Sequence, residues 1–314
     1  AERAQWATGD YVVGEVTRTW RTSLIELTSG RMAEVAVGDP IVGALGVRAA
    51  TLEAVGHWHD IPEDGFMQAM TAAGIMGRVT SQSTYIPDPV QLRYLGHVRR
   101  DDRLVKMSDF APPSTGETVS LDFPILLLIG TSMSSGKTTS AKVIIRRLKR
   151  KGLRVVGAKL TGAGRYHDIL AMSDAGADRI FDFVDQGLPS TVCDETAFRR
   201  NLRGLLARIA DARPDVLVAE AGASPLEPYN GDAAVDELGD SVRCTVLSAS
   251  DPYAVVGVIQ GFGFRPDFVS GVATSTSAGV DVIKKLAGIT ALNLLDPRSH
   301  PELDRILSRQ LGLE

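Results

Sequence analysis

The chain has 314 residues, enough for a large buried core and, by length, for two domains. Hydrophobic residues make up 44% and charged residues 23%, and a formal net charge of −4 offers no basic footprint for nucleic acid or anionic lipid. Neither nucleic acid nor a membrane is therefore expected as a main partner.

From the start of the chain, short β-like runs at Tyr11–Val16, Leu24–Leu27, Met32–Val37 and Ile41–Leu45 are separated by Ser29-Gly30 and Gly38-Asp39-Pro40. That spacing predicts a small barrel or curled sheet. His57-Trp58-His59 would place two imidazoles on one strand face, but no third ligand lies near in sequence, so a non-metal role is expected. Phe66–Ala73 reads as a short helix, and Pro87-Asp88-Pro89 interrupts regular structure beyond it. Turn residues then gather at Ala111-Pro112-Pro113-Ser114-Thr115-Gly116. The expected organisation is a smaller β-rich domain over 1–110, a linker over 111–119 and a second domain over 120–314.

Beyond the linker, buried-strand and helix patterns alternate. Ile125–Ile129 is the longest apolar run and far too short to span a bilayer. Thr138–Lys149 has helical spacing, Gly152 ends it, and Arg154–Ala158 reads as the next strand. Arg199–Ile209 reads as a helix, and Val216–Ala219, Arg243–Leu247 and Phe268–Ala273 read as strands. The basic run Arg146–Lys151 falls in a helix's last turns, where cations complement the dipole. This alternation predicts an α/β fold with a mostly parallel sheet covered on both faces. The two cysteines, Cys193 and Cys244, have no metal-ligand spacing and read as buried free thiols. With no apolar signal region after Ala-Glu-Arg-Ala-Gln, a cytoplasmic protein is expected.

The segment that carries chemistry is Gly130-Thr131-Ser132-Met133-Ser134-Ser135-Gly136-Lys137-Thr138-Thr139, between a buried strand and an amphipathic helix. Small residues let backbone N–H groups turn inward around phosphate oxygens, and the helix N-terminus adds its positive end. Gly130, Thr131, Ser132, Ser134, Ser135, Gly136, Lys137, Thr138 and Thr139 are the candidate nucleotide-binding residues. Lys137 would contact the β- and γ-phosphates and the Thr138 hydroxyl would bind Mg²⁺. The strict phosphate-loop pattern wants glycine at Thr131; here it stands one place earlier.

The order Gly-Thr-x-x-x-x-Gly-Lys-Thr resembles the loop of dethiobiotin synthetase, and the wording Gly-Thr-Ser-Met-Ser-Ser-Gly-Lys-Thr-Thr resembles the DUF1611 group of P-loop proteins. Three further segments resemble dethiobiotin synthetase: Lys159-Leu160-Thr161-Gly162, Ser173-Asp174-Ala175 and Val218–Ala223. The resemblance implies a P-loop NTPase domain, ATP as the nucleotide and a homodimer. It also implies that Asp174 and Glu220 join Thr138 around Mg²⁺. The residues support parts of this on their own. Lys159 ends a buried strand at the carboxyl edge, where α/β sheets bind ligands, and could stabilise transferring charge. Glu220 closes an apolar strand, where an unpaired carboxylate is costly. Arg165 could clamp a substrate carboxylate or phosphate. No asparagine stands in Ala273-Thr274-Ser275-Thr276 to specify the base.

The expected function is an Mg²⁺-ATP-dependent enzyme, of ligase or kinase type, acting on a small carboxylated metabolite. Lys137 and Lys159 would be its catalytic cations. The alternatives are a nucleotide-dependent switch or chaperone-like ATPase, or an acyltransferase holding an acyl-carrier cofactor in the loop, as the DUF1611 resemblance implies.

Overall fold

The computed structural model describes residues 2–20 and 23–313. The chain divides into two compact units. One comprises 1–113 together with 163–167 and 183–193; the other comprises 114–162, 168–182 and 194–314.

In the first unit, Tyr11–Arg18 buries every second residue, with Val12 and Val16 inside. It pairs antiparallel with Pro40–Leu45 on one side and Gln91–His97 on the other. Gln91–His97 pairs with Phe66–Ala69, which pairs with Ile75–Gln82, and that strand returns to Pro40–Leu45. These five strands thus close as a small barrel, and Ala54–His57 and Val47–Ala49 continue the sheet outward from Ile75–Gln82. Leu45, Trp58, Met67, Met76 and Leu92 fill the interior. Phe66–Ala69 is a strand, not the start of a helix. Met67 and Ala69 are buried while Phe66 and Gln68 are half-exposed, a period of two that a short apolar run does not reveal in sequence.

A polar chain is built into the same unit. The Tyr94 hydroxyl lies 2.6 Å from His97 Nδ1, and His97 Nε2 lies 3.3 Å from the buried Asp10 carboxylate. Burial lowers the His97 imidazole from its ordinary range, against the opposing pull of Asp10. The late segments are knitted in by backbone contacts. Gly164 N–H donates to Pro189 O at 2.9 Å, and the buried Glu26 accepts from the N–H groups of Tyr166 and His167 at 2.9 and 2.6 Å.

Among the described residues, the second unit is a seven-stranded sheet, parallel at every pairing. Its order is Arg179–Asp182, Val155–Thr161, Val216–Ala221, Ile125–Gly130, Val242–Ser248, Phe268–Ser270, Thr290–Ala291. Ile125–Gly130 and Val155–Thr161 are buried at every position, as strands covered on both faces must be. Helix Lys137–Arg150 lays Ala141, Ile144, Ile145 and Leu148, one 3.6-residue stripe, against Leu126, Leu128, Val218 and Val246. Each fully buried Ile or Leu of this stripe contributes about 1.5–3 kcal/mol. Arg147 pairs with Asp304 and Lys149 with Asp178, so part of the basic run is engaged within the fold. Cys244 is buried, whereas Cys193 is only partly so; neither is in a disulfide. Among the described residues no helix is long and apolar enough to cross a membrane.

From Ile125–Gly130 the chain moves to one side of the sheet with Val155–Thr161 and Val216–Ala221. It then moves to the other side with Val242–Ser248. Such a reversal leaves a crevice at the carboxyl end of the central strand, where open α/β sheets bind ligands.

Candidate functional site

Strand Ile125–Gly130 delivers the chain to that crevice, and the turn at 131–136 leads directly into helix Lys137–Arg150. Left-handed backbone shapes the turn at Ser134, with φ 60°, and at Gly136, with φ 103°. Only glycine adopts the second without strain. Gly130 is required for a different reason. A Cβ there would stand 2.6 Å from Lys137 Nζ and 2.7 Å from Ser135 Oγ, filling the space the lysine occupies.

The loop is tied down from behind. Thr131 N–H donates to Ser248 O at 3.1 Å, Ser250 N–H to Thr131 Oγ1 at 3.0 Å, and Val272 N–H to Ser135 O at 3.3 Å. Lys137 is buried, and its Nζ donates to Ser132 O at 2.8 Å. Burial lowers its ammonium from the usual lysine range, although Glu220 and Glu227 pull the other way. The Thr138 hydroxyl donates to Glu220 Oε2 at 3.2 Å. Ser132 Oγ and Ser135 Oγ are buried without a hydrogen-bond partner among the described residues. Buried hydroxyls are normally satisfied, so two orphans on one small loop mark a place built for oxygen-rich ligand atoms. Ser134 and Thr139 are exposed at the loop surface.

A row of charge runs sideways from the loop. Asp182, Lys159 and Glu220 stand in register on three neighbouring strands, followed by Leu128 on the loop-bearing strand. All three charged residues are at least nine-tenths buried. Lys159 Nζ donates to Asp168 Oδ2 at 2.7 Å. Burial disfavours the Lys159 ammonium, but Asp168, Asp182 and Glu220 outweigh it and raise it above its ordinary value. Burial raises the Glu220 carboxyl, against the Lys137 charge.

The structure therefore brings together Lys137, Thr138, Lys159 and Glu220, all candidates from the sequence. It does not bring Asp174 to them. Asp174 is exposed at the carboxyl end of helix Tyr166–Asp174, and the acid that meets Lys159 is Asp168 in the first turn. Sequence does not single out Asp168, because an acid in a helix's first turn already has a bland explanation in the helix dipole. Its one legible signal is the strand–Lys–glycine turn–helix order that precedes it. Arg165 is exposed and belongs to the segment 163–167 of the first unit.

The residues fit a nucleoside triphosphate with Mg²⁺. The glycine-lined cradle, the orphaned hydroxyls and the buried lysine suit phosphate oxygens. Lys137 and Lys159 feel the charges of Glu220, Asp168, Asp182 and Glu227, an excess of acid that a divalent cation would offset. The order of parts decides the fold class. The second unit has a P-loop fold.

No protein-family model matches the sequence, and no curated protein does. Solved structures are similar to this chain at low identity. One is a DUF1611 family protein from Anabaena variabilis, 15% identical over 63% of this chain and 63% of that one, TM-score 0.42. Another is the hydrogenase maturation factor HypB from Archaeoglobus fulgidus, 18% identical over 60% and 90%, TM-score 0.42. A third is chloroplast FtsY from Physcomitrella patens, 13% identical over 59% and 62%, TM-score 0.38. The chain thus spans about three fifths of the length of FtsY and of the DUF1611 protein.

Proposed function

We propose that the P-loop unit binds a Mg²⁺–nucleoside triphosphate, ATP in our reading, and uses it to phosphorylate or activate a small, carboxylated metabolite. The observation that carries this reading is the cradle itself: Gly130, Gly136 and the orphaned Ser132 and Ser135 hydroxyls around the buried Lys137 ammonium. Backbone N–H groups of the loop and the first turn of helix Lys137–Arg150 hold the phosphates. Lys137, resting on Ser132 O, is the cation placed to contact the terminal phosphates. Thr138 and Glu220, already hydrogen-bonded to each other, are the pair assigned to the metal. Held by this pair, Mg²⁺ would supply positive charge against the phosphate oxygens during transfer. Lys159, enclosed beside Glu220, adds a second fixed positive charge at the same edge.

Replacing Lys137 by Met tests the reading, because Met keeps the apolar stem and removes only the ammonium. Titration of Mg-ATP and Mg-GTP is expected to show affinity lower by at least about tenfold, roughly 1.4 kcal/mol. The thermal transition should persist. Equal affinity in the wild type and Lys137→Met would sink the assignment.

A further inference from the structure

We infer that Asp168 is the positioning residue for Lys159, fixing its ammonium at the carboxyl edge of the sheet so that the phosphoryl-transfer step, rather than nucleotide affinity, depends on the pair. This rests on the reading of the P-loop unit as a triphosphate-using enzyme.

Side chains in register on neighbouring parallel strands project from the same face of a sheet, so Lys159 lies between Asp182 and Glu220. Acid on both sides gives the long lysine chain two competing directions. A third contact is needed to hold one.

Helix Tyr166–Asp174 supplies that contact through its packing. It crosses the lysine strand where Gly157 lacks a side chain; a Cβ there would lie 2.9 Å from Met172 Sδ and 3.0 Å from Met172 Cβ. Two residues along the strand from Gly157 is Lys159, about 6.6 Å further towards the carboxyl edge. One helical turn back from Met172 is Asp168, about 6 Å in the same direction. The two rises match, and Asp168 Oδ2 meets Lys159 Nζ at 2.7 Å. The same geometry sends Asp174 the other way, towards the amino ends of the strands.

The pair is well enclosed, with side-chain exposures of 5% for Lys159 and 22% for Asp168. A charge-assisted hydrogen bond in such surroundings is short and directional. Nucleotide phosphates are assigned to Lys137 and the loop rather than to this pair. Loss of Asp168 therefore removes this contact and shifts the Lys159 ammonium towards Asp182 or Glu220, while the residues of the cradle are unchanged. Misplacing a catalytic group by about 1 Å can cost on the order of 100-fold in rate.

The test compares wild type, Asp168→Asn and Asp168→Glu in the full chain with three readouts. Brief amine labelling followed by peptide mass analysis reports how firmly Lys159 is held and needs no nucleotide. Mg-ATP titration reports affinity, and steady-state ATP turnover reports the chemical step. In Asp168→Asn, Lys159 should label several-fold faster, affinity should stay within about twofold, and turnover should fall at least tenfold. Asp168→Glu should recover part of the turnover. Identical Lys159 labelling in wild type and Asp168→Asn would overturn the inference. So would unchanged turnover, or an equal collapse of affinity and turnover in both variants. A wild type that binds no triphosphate would instead fail the P-loop function, and the labelling result would still decide whether Asp168 holds Lys159.

Discussion

Glu220 combines a buried carboxylate, a hydroxyl partner and two lysines within one short stretch of sheet edge. Burial favours its neutral form and Lys137 favours the charged one, so its ionised state depends on the cations around it. In the proposed function a bound cation would favour its charged form. In Glu220→Gln the Thr138 hydroxyl keeps an oxygen acceptor, so the local packing should hold and nucleotide affinity should change only about threefold. Turnover should fall at least about tenfold, with the Mg²⁺ requirement shifted to higher concentration. Asp174→Asn, at the exposed helix end, should keep wild-type turnover and metal dependence. Turnover measured against Mg²⁺ concentration for both variants checks this. A wild-type profile in Glu220→Gln would remove the carboxylate from the metal site. A shifted profile in Asp174→Asn would return Asp174 to it.

At the scale of elements, the loop is held by what lies behind it as much as by its own sequence. Gly271 follows strand Phe268–Ser270 with φ 90°, and a Cβ there would stand 2.3 Å from Ser135 O and 2.9 Å from Ala249 N. Both are backbone atoms and cannot swing aside. Gly271→Ala is therefore expected to cost about 1–3 kcal/mol or more and to loosen the Val272-to-Ser135 tether of the loop. For a unit of this size that is a fall of about 2–4 °C in melting temperature for each kcal/mol, with weaker nucleotide binding. Gly257, within helix Pro252–Phe262, makes the contrast, since nothing lies within 4 Å of its missing Cβ. Gly257→Ala should be neutral or should stabilise by up to about 1 kcal/mol, because alanine is the better helix former. Thermal melts of the two variants side by side would show whether close approach, rather than glycine content, matters here.

At the scale of the molecule, the first unit is not contiguous in sequence. Gly187 sits so close to Ser108 that a Cβ would lie 2.8 Å from its Cα, and Pro189 packs against Gly46 in the same way. The barrel unit therefore contains pieces from 163–167 and 183–193. A fragment ending at residue 113 is expected to melt lower and less cooperatively than the same unit in the whole chain. Limited proteolysis should cut first within 111–119, where the backbone makes few contacts. The nicked halves should separate on a denaturing gel yet elute together under native conditions. Halves that separate freely after the nick, or a fragment 1–113 as stable as the whole, would contradict a barrel unit assembled from distant segments.

Much of the nucleotide site was legible because its parts are contiguous. A buried strand, a glycine and serine turn and Lys-Thr at a helix start can be read in one window of chain. Their chemistry depends on backbone that local sequence dictates. The same holds for the alternating pattern that indicates a parallel α/β sheet. Elsewhere the outcome depended on which side chains met across the fold. The run at Phe66 is apolar in either conformation, and only pairing with Gln91–His97 and Ile75–Gln82 makes it a strand. Asp168 and Asp174 occupy the same short helix and differ little in local context. The missing side chain of Gly157 lets Met172 pack down, and that packing sets which end of the helix reaches Lys159. Sequence by itself determined the loop, its lysine and the class of fold, since each arises within a few residues. Tertiary structure decided the acid beside Lys159, the glycine behind the loop and the composition of the barrel unit, because each depends on distant segments packing together.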